Sequence, residues 1–242
     1  MNFGHHSSLV SARRQFSDGK IVKLAGHKAA VHTVAWNASG TRLASGDKTG
    51  TGHVWTPGDS AVATARLFHD KVIAQLSWDP NNSNVVATAS HDKTAKLWDV
   101  REKHSMRTFN TQGENINITY HPTAPLLIIS DKNDLMYVVD VRAGRTVEKY
   151  KHDYEINEIK VHPSGKSIFI TTGRGTIEVR NFDSAKAKPL GTSCIQTLRG
   201  HSSNVDCGAF AHKKSYFASG AADAMACIWD TDSYVCVRTC AR

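Results

Sequence analysis

Cysteine is absent from the first 193 residues of this 242-residue chain, and all five, Cys194, Cys207, Cys227, Cys236 and Cys240, fall in the last quarter. The number is odd and no C-x-x-C pair occurs, which argues against a zinc ribbon or a thioredoxin-type motif and points to reduced thiols. No run approaches the ~20 apolar residues of a membrane-spanning helix, so the sequence predicts no membrane partner. The first residues lack the apolar stretch of a secretory signal, and residues 1–17 contain no acid; residues 1–20 read as a flexible tail. Neither H-E-x-x-H nor a phosphate-binding glycine loop occurs, and no segment carries helical period with caps. These absences predict no cofactor, no metal and no small-molecule substrate.

What is present is a repeat. Five copies of one pattern run along the chain, at 26–55, 69–99, 113–140, 152–181 and 200–230. Their closing position is held by Trp55, Trp98, Val139, Arg180 and Trp229, at gaps of 43, 41, 41 and 49 residues. A period of 40–45 that starts with Gly-His and ends with Trp-Asp is the pattern of WD repeats. The longer last gap reflects a polar insertion, Ala185 to Ser193, read as a lengthened loop. Within each copy the apolar period is two: Val31, Val34 and Trp36 correspond to Ile73, Leu76 and Trp78, and to Ile156, Ile159 and Val161. Turn signals such as Asn37-Ala38-Ser39-Gly40 and His162-Pro163-Ser164-Gly165 follow. The predicted fold is all-β: a WD40 β-propeller of five recognisable blades. Repeats are placed at 21–59, 60–102, 103–142, 143–184 and 185–232, with 233–242 starting a further blade.

Buried turns need their polar groups satisfied internally. In WD repeats a His, a Ser or Thr, an Asp and the Trp form one network. The second copy supplies His69, Thr88, Asp92 and Trp98, and the last supplies His201, Ser219, Asp223 and Trp229. A hydrolytic triad occurs once per active site, whereas this grouping recurs with the repeat, so it reads as structural. The first copy keeps His27, Ser45 and Trp55 but has Thr49 at the Asp position. The third and fourth copies replace the Trp by Val139 and Arg180, and are expected to rely on apolar packing and to be the softer part.

Residues outside the repeat pattern narrow the reading. Thr111 to Ile118 (TQGENINI), Tyr154 to Ile159 (YEINEI) and Ala218 to Arg238 closely resemble segments of the THO complex subunit 3 family, in order along residues 27–242. The resemblance implies a non-catalytic scaffold subunit in the nucleus, part of a THO/TREX assembly in mRNA packaging and export, with other THO/TREX-type subunits as partners. It also implies seven blades, two more than the motifs found, so the chain is expected to be an incomplete version of a seven-bladed ring. The alternative is a WD40 adaptor or substrate receptor of another multiprotein complex.

Propellers bind partners with loops at one mouth of the channel. Glu114, Asn117, Glu155 and Glu158 are predicted to form an acidic-polar arc there, flanked by Lys132 and His91, suited to a basic or polar peptide. The net charge of +8 raises RNA as a ligand, but the basic residues are scattered along the sequence and do not alternate with exposed aromatics, so RNA contact is predicted to be weak or indirect.

Overall fold

A computed structural model describes residues 21–58, 63–182, 190–211 and 215–241, with side chains from 194 onward in the third stretch. The expected 1–20 tail, and Ala185–Pro189 of the insertion, lie outside the described residues. Among those described, strands are the only regular elements, and no helix is long and apolar enough to cross a membrane.

The strands form five antiparallel four-stranded sheets, each a simple meander. The first contains β1 (Val31–Trp36), β2 (Leu43–Asp47), β3 (Thr51–Trp55) and β4 (Ala63–Phe68). The second contains β5 (Ile73–Trp78), β6 (Val85–Ser90), β7 (Thr94–Asp99) and β8 (Ser105–Asn110). The third runs β9 (Asn115–Tyr120), β10 (Leu126–Asp131), β11 (Leu135–Asp140) and β12 (Arg145–Lys151). The fourth runs β13 (Ile156–Val161), β14 (Ser167–Thr172), β15 (Thr176–Phe182) and β16 (Leu190–Arg199). The fifth holds β17 (Val205–Phe210), β18 (Tyr216–Ala221), β19 (Met225–Asp230) and β20 (Cys236–Ala241). These are the blades of a β-propeller.

Short strands form because each turn satisfies its own backbone. Asn37, for example, accepts from the Thr41 and Arg42 amides through its Oδ1, at 2.9 and 3.0 Å, closing the β1–β2 turn. The blades then pack side by side, β1 against β5, β5 against β9, β9 against β13 and β13 against β17. Four apolar clusters hold them, one per blade–blade junction. Ile73, Leu76 and Trp78 of the second blade, for instance, seat on Ala44, Val54 and Leu67 of the first. Each buried Ile, Leu or Val among them contributes about 1.5–3 kcal/mol. The central strands β6, β10 and β14 are buried at every residue because both of their faces are covered.

Among the described residues no such packing joins β17 back to β1. On β1, Val34 and Trp36 are 61% and 54% exposed, whereas their equivalents Leu76 and Trp78 are both 6% exposed. The five blades therefore form an arc with two open flanks.

One strand assignment and one loop assignment differ from expectation. Cys236–Ala241 does not start a sixth blade but pairs with β19 as the outer strand of the fifth. A WD repeat ends at the third strand, so each blade borrows its fourth strand from the next repeat, and the periodicity alone cannot say which sheet takes it. Ile21–Leu24 lies in no sheet. The insertion between the fourth and fifth copies is not all loop, since Leu190–Ser193 extends β16 along β15 through two register shifts.

Candidate partner-binding site

The repeat-marked polar residues come together inside the blades. In the second blade His69 Nδ1 lies 2.8 Å from Asp92, its Nε2 lies 2.6 Å from the Thr88 hydroxyl, and the Trp98 indole N–H donates to that hydroxyl at 2.9 Å. In the fifth, His201 meets Asp223 at 3.1 Å and Ser219 at 2.8 Å, and Trp229 donates to Ser219 at 2.9 Å. Burial alone would raise the Asp92 carboxyl, but hydrogen bonds from His69 and Thr94 outweigh it and hold it far below the usual range. Burial lowers the His69 imidazole. With His69 neutral, the donors run one way: indole to hydroxyl, hydroxyl to imidazole, imidazole to carboxylate. Thr88 and Ser219 are buried and already accept from an indole, so neither hydroxyl is placed to meet a substrate. The Gly-His opening has a steric reason: a Cβ at Gly26 or Gly200 would stand 2.8 or 2.7 Å from Cη2 of Trp55 or Trp229.

The altered copies carry substitute networks that the motif did not reveal. In the first blade the carboxylate comes from Asp47, at the end of β2, not from the turn position held by Thr49. Its Oδ2 lies 2.7 Å from His27, and its Oδ1 accepts from the Thr49 hydroxyl at 2.7 Å. The third blade uses the equivalent strand-end residue, Asp131, which accepts from the Tyr137 hydroxyl at 2.9 Å and the Gly113 amide at 2.8 Å. In the fourth, the Tyr154 hydroxyl donates to Glu178 at 2.7 Å, and Arg180 donates to the same carboxylate. Blades three and four are also among the most buried, so the expected softness has no basis in their packing; the exposed residues concentrate in blades one and five. An Asp at the end of the second strand in both the first and third copies was the available signal.

The predicted acidic arc separates into parts. Glu114 lies at the mouth, but Lys132 donates to it at 2.7 Å, and Lys71 and His91 stand 3.5 and 3.8 Å away. The Lys132 hydrogen bond, with the nearby charges of Lys132, His91 and Lys71, holds its carboxyl below the ordinary range. Asn117 is buried, donating to the Ser130 hydroxyl and to the Asn157 carbonyl of the next blade. Glu158 accepts from Gln75 of the second blade at 3.1 Å, from the Gly208 amide of the fifth at 2.6 Å and from Lys160 at 2.8 Å. Asn117 and Glu158 thus tie blades together and are not presented to a partner; which strand face they occupy depends on register that sequence spacing did not fix. Glu155 is exposed at the mouth. It shares a cavity of about 450 Å³ with Asp134, Asp206, Asn157 and Lys132. Asp134 and Asp206 were not anticipated, because they come from a turn and from the next blade.

His152, which opens the fourth blade, is buried against Tyr154 with ring centroids 5.0 Å apart. Burial, aided by the Arg180 charge, pushes its pKa down to about 4. The unfolded chain takes up this proton below about 6.5, so stability is full above that pH and falls as pH drops toward 4. Urea unfolding at pH 7 and pH 4.5 is expected to show His152→Gln losing about 2–3 kcal/mol less on acidification than the parent protein. Equal losses would assign the acid sensitivity elsewhere.

Comparison with known proteins agrees with the fold. The family described as WD domain, G-beta repeat matches residues 18–56, 64–99 and 192–230. The chain is 39% identical over 218 residues to THO complex subunit 3 of Arabidopsis thaliana, covering 88% of this chain and 67% of that protein. It is 28% identical over 257 residues to WD repeat-containing protein AAC3 of Dictyostelium discoideum, covering 96% of this chain and 53% of that one. The chain therefore spans between half and two thirds of the length of these relatives. With five WD-type blades and this degree of identity, the chain belongs to the THO complex subunit 3 family of WD-repeat propellers.

Proposed function

We infer that this protein is a non-catalytic scaffold subunit of a nuclear THO/TREX-like complex acting in mRNA packaging and export. The observation that carries the reading is the 39% identity to a THO complex subunit across 88% of the chain. The blade geometry is compatible with it: the hydroxyl, imidazole and carboxylate groups of the WD networks are consumed by internal hydrogen bonds. Affinity purification of the tagged protein from nuclei tests it. Co-purifying large THO subunits support the assignment, while ligase subunits in their place would make it an adaptor of another complex.

Within that role the partner docks at the mouth, where Glu155, Asp134 and Asp206 face one cavity with Lys132 as the cation in its lining and Lys151 beside Asp134. A basic segment of a neighbouring subunit fits this chemistry, because opposite charge steers and orients association. Glu155→Lys with Asp206→Lys is expected to weaken subunit binding about tenfold or more, read by titrating the purified partner. Unchanged affinity in a folded double variant would move the docking surface elsewhere.

A further inference from the structure

The charges of the strands are sorted by position in the blade. The five outer strands, β4, β8, β12, β16 and β20, carry Arg66, Arg107, Arg145, Lys149, Lys151, Arg199 and Arg238 against a single carboxylate, Glu148. The other fifteen strands show the reverse bias: Lys96, Lys160 and Arg180 stand against Asp47, Asp99, Asp131, Asp140, Glu158, Glu178, Asp206 and Asp230. Every outer strand therefore has one arginine, and all seven basic residues are exposed. Among the described residues, Lys151 is the only one of the seven within 4 Å of a carboxylate, Asp134 at 3.4 Å. Residues scattered in sequence are gathered by the fold, since each outer strand is last in its sheet and the blades stand side by side.

Edge strands need charge to prevent pairing with other chains, but acidic residues serve that end as well as basic ones. The single sign asks for a second explanation. Arginine's planar fork matches phosphate oxygens in two parallel hydrogen bonds, and five of the seven residues are arginine. The repeat spaces them once per blade around the perimeter, which suits a ligand whose own charge repeats along its length. We propose that the outer perimeter of the blades is a track for the phosphate backbone of single-stranded nucleic acid, bound without regard to sequence. Base reading is not part of it, because Phe68 is the one large aromatic exposed on these strands among the described residues.

The test uses the full chain and a labelled 30-nucleotide oligouridylate, followed by fluorescence anisotropy from 50 to 200 mM salt. Each phosphate contact on a single strand contributes about 0.7 to the slope of log affinity against log salt, so five arginines predict a slope of about −3.5. The triple variant Arg66→Gln, Arg107→Gln, Arg145→Gln is expected to lower affinity about tenfold or more at 50 mM salt and to make the slope shallower by about 2. A control of equal charge change, Lys48→Gln in the β2–β3 turn with Lys71→Gln and Lys132→Gln beside Glu114, is expected to leave both near the parent values. Equal losses in the two triples, or no binding by the parent protein at 50 mM salt, would overturn the proposal. So would poly-glutamate of matched charge displacing the RNA as well as unlabelled RNA does, since the surface would then suit an acidic protein. Deoxythymidylate of the same length is expected to compete, because the backbone is what is bound.

Discussion

Replacing Asp131 by alanine is expected to destabilise the protein by about 3–5 kcal/mol. The side chain is fully buried at the end of β10 and accepts four hydrogen bonds: from the Gly113 amide and Tyr137 hydroxyl through Oδ2, and from the Asn133 and Leu135 amides through Oδ1. Alanine leaves all four donors without this acceptor. Each donor that stays buried costs about 1–3 kcal/mol, and those near the turn recover part of that from water. Asp131→Asn keeps one acceptor oxygen and points an amine at the other pair of donors, so it should fall between. Tyr137→Phe removes one bond of the four and also the acceptor of the Gln112 amide, and is expected to cost about 1–2 kcal/mol. Urea unfolding at constant slope measures each value, with Asp140→Ala as the comparison, since that strand-end carboxylate is only half-buried and accepts from two turn amides. A loss for Asp131→Ala within about 1 kcal/mol of the parent would show that the third blade does not depend on this carboxyl.

Trp98→Ala is expected to cost about 3–5 kcal/mol, the range for deleting a large core aromatic. Trp98 lies in the cluster that joins the first two blades, among Ala44, Val54, Leu76 and Val86, and donates to Thr88. Truncation therefore opens a cavity at a blade junction and removes one link of the polar network. Trp98→Phe keeps most of the apolar area and should lose about 1 kcal/mol, chiefly the indole hydrogen bond. Trp36→Ala supplies the contrast: it is an inner-strand Trp more than half exposed on the open flank of the first blade, and its loss should stay below about 1 kcal/mol. Unfolding followed by far-ultraviolet circular dichroism avoids the changed fluorescence. Equal effects for Trp98 and Trp36 would mean that the open flank is covered in solution.

The repeat, the all-β class and the networks of the second and fifth blades could be read from sequence because Gly-His, Trp-Asp and period-two alternation are local signals. Asp47 and Asp131 were passed over because the motif places its carboxylate two residues later, in the turn, whereas the geometry accepts one from the end of the preceding strand. Glu114 looked acidic because its neutralising partners, Lys71 and Lys132, come from turns up to 43 residues away in sequence. Glu158 looked exposed for the same reason: Gln75 and Gly208, which enclose it, belong to two other blades. Periodicity identifies an element and its faces. It does not say what stands opposite, and the candidate site is made almost wholly of what stands opposite.

The open arc has a consequence for how order is shared along the chain. In a closed ring every blade has two neighbours; among the described residues the first and fifth have one neighbour each. Such an array behaves as a short one-dimensional lattice, its stability a sum of unit terms and nearest-neighbour couplings. Among these five blades, a defect in the first or the fifth removes one coupling. A defect in the third blade cuts it into two pairs, severing two couplings at once. A blade that departs from the repeat pattern thus occupies the position where the array tolerates failure least, and there the network built on Asp131 and Tyr137 stands in for the missing Trp.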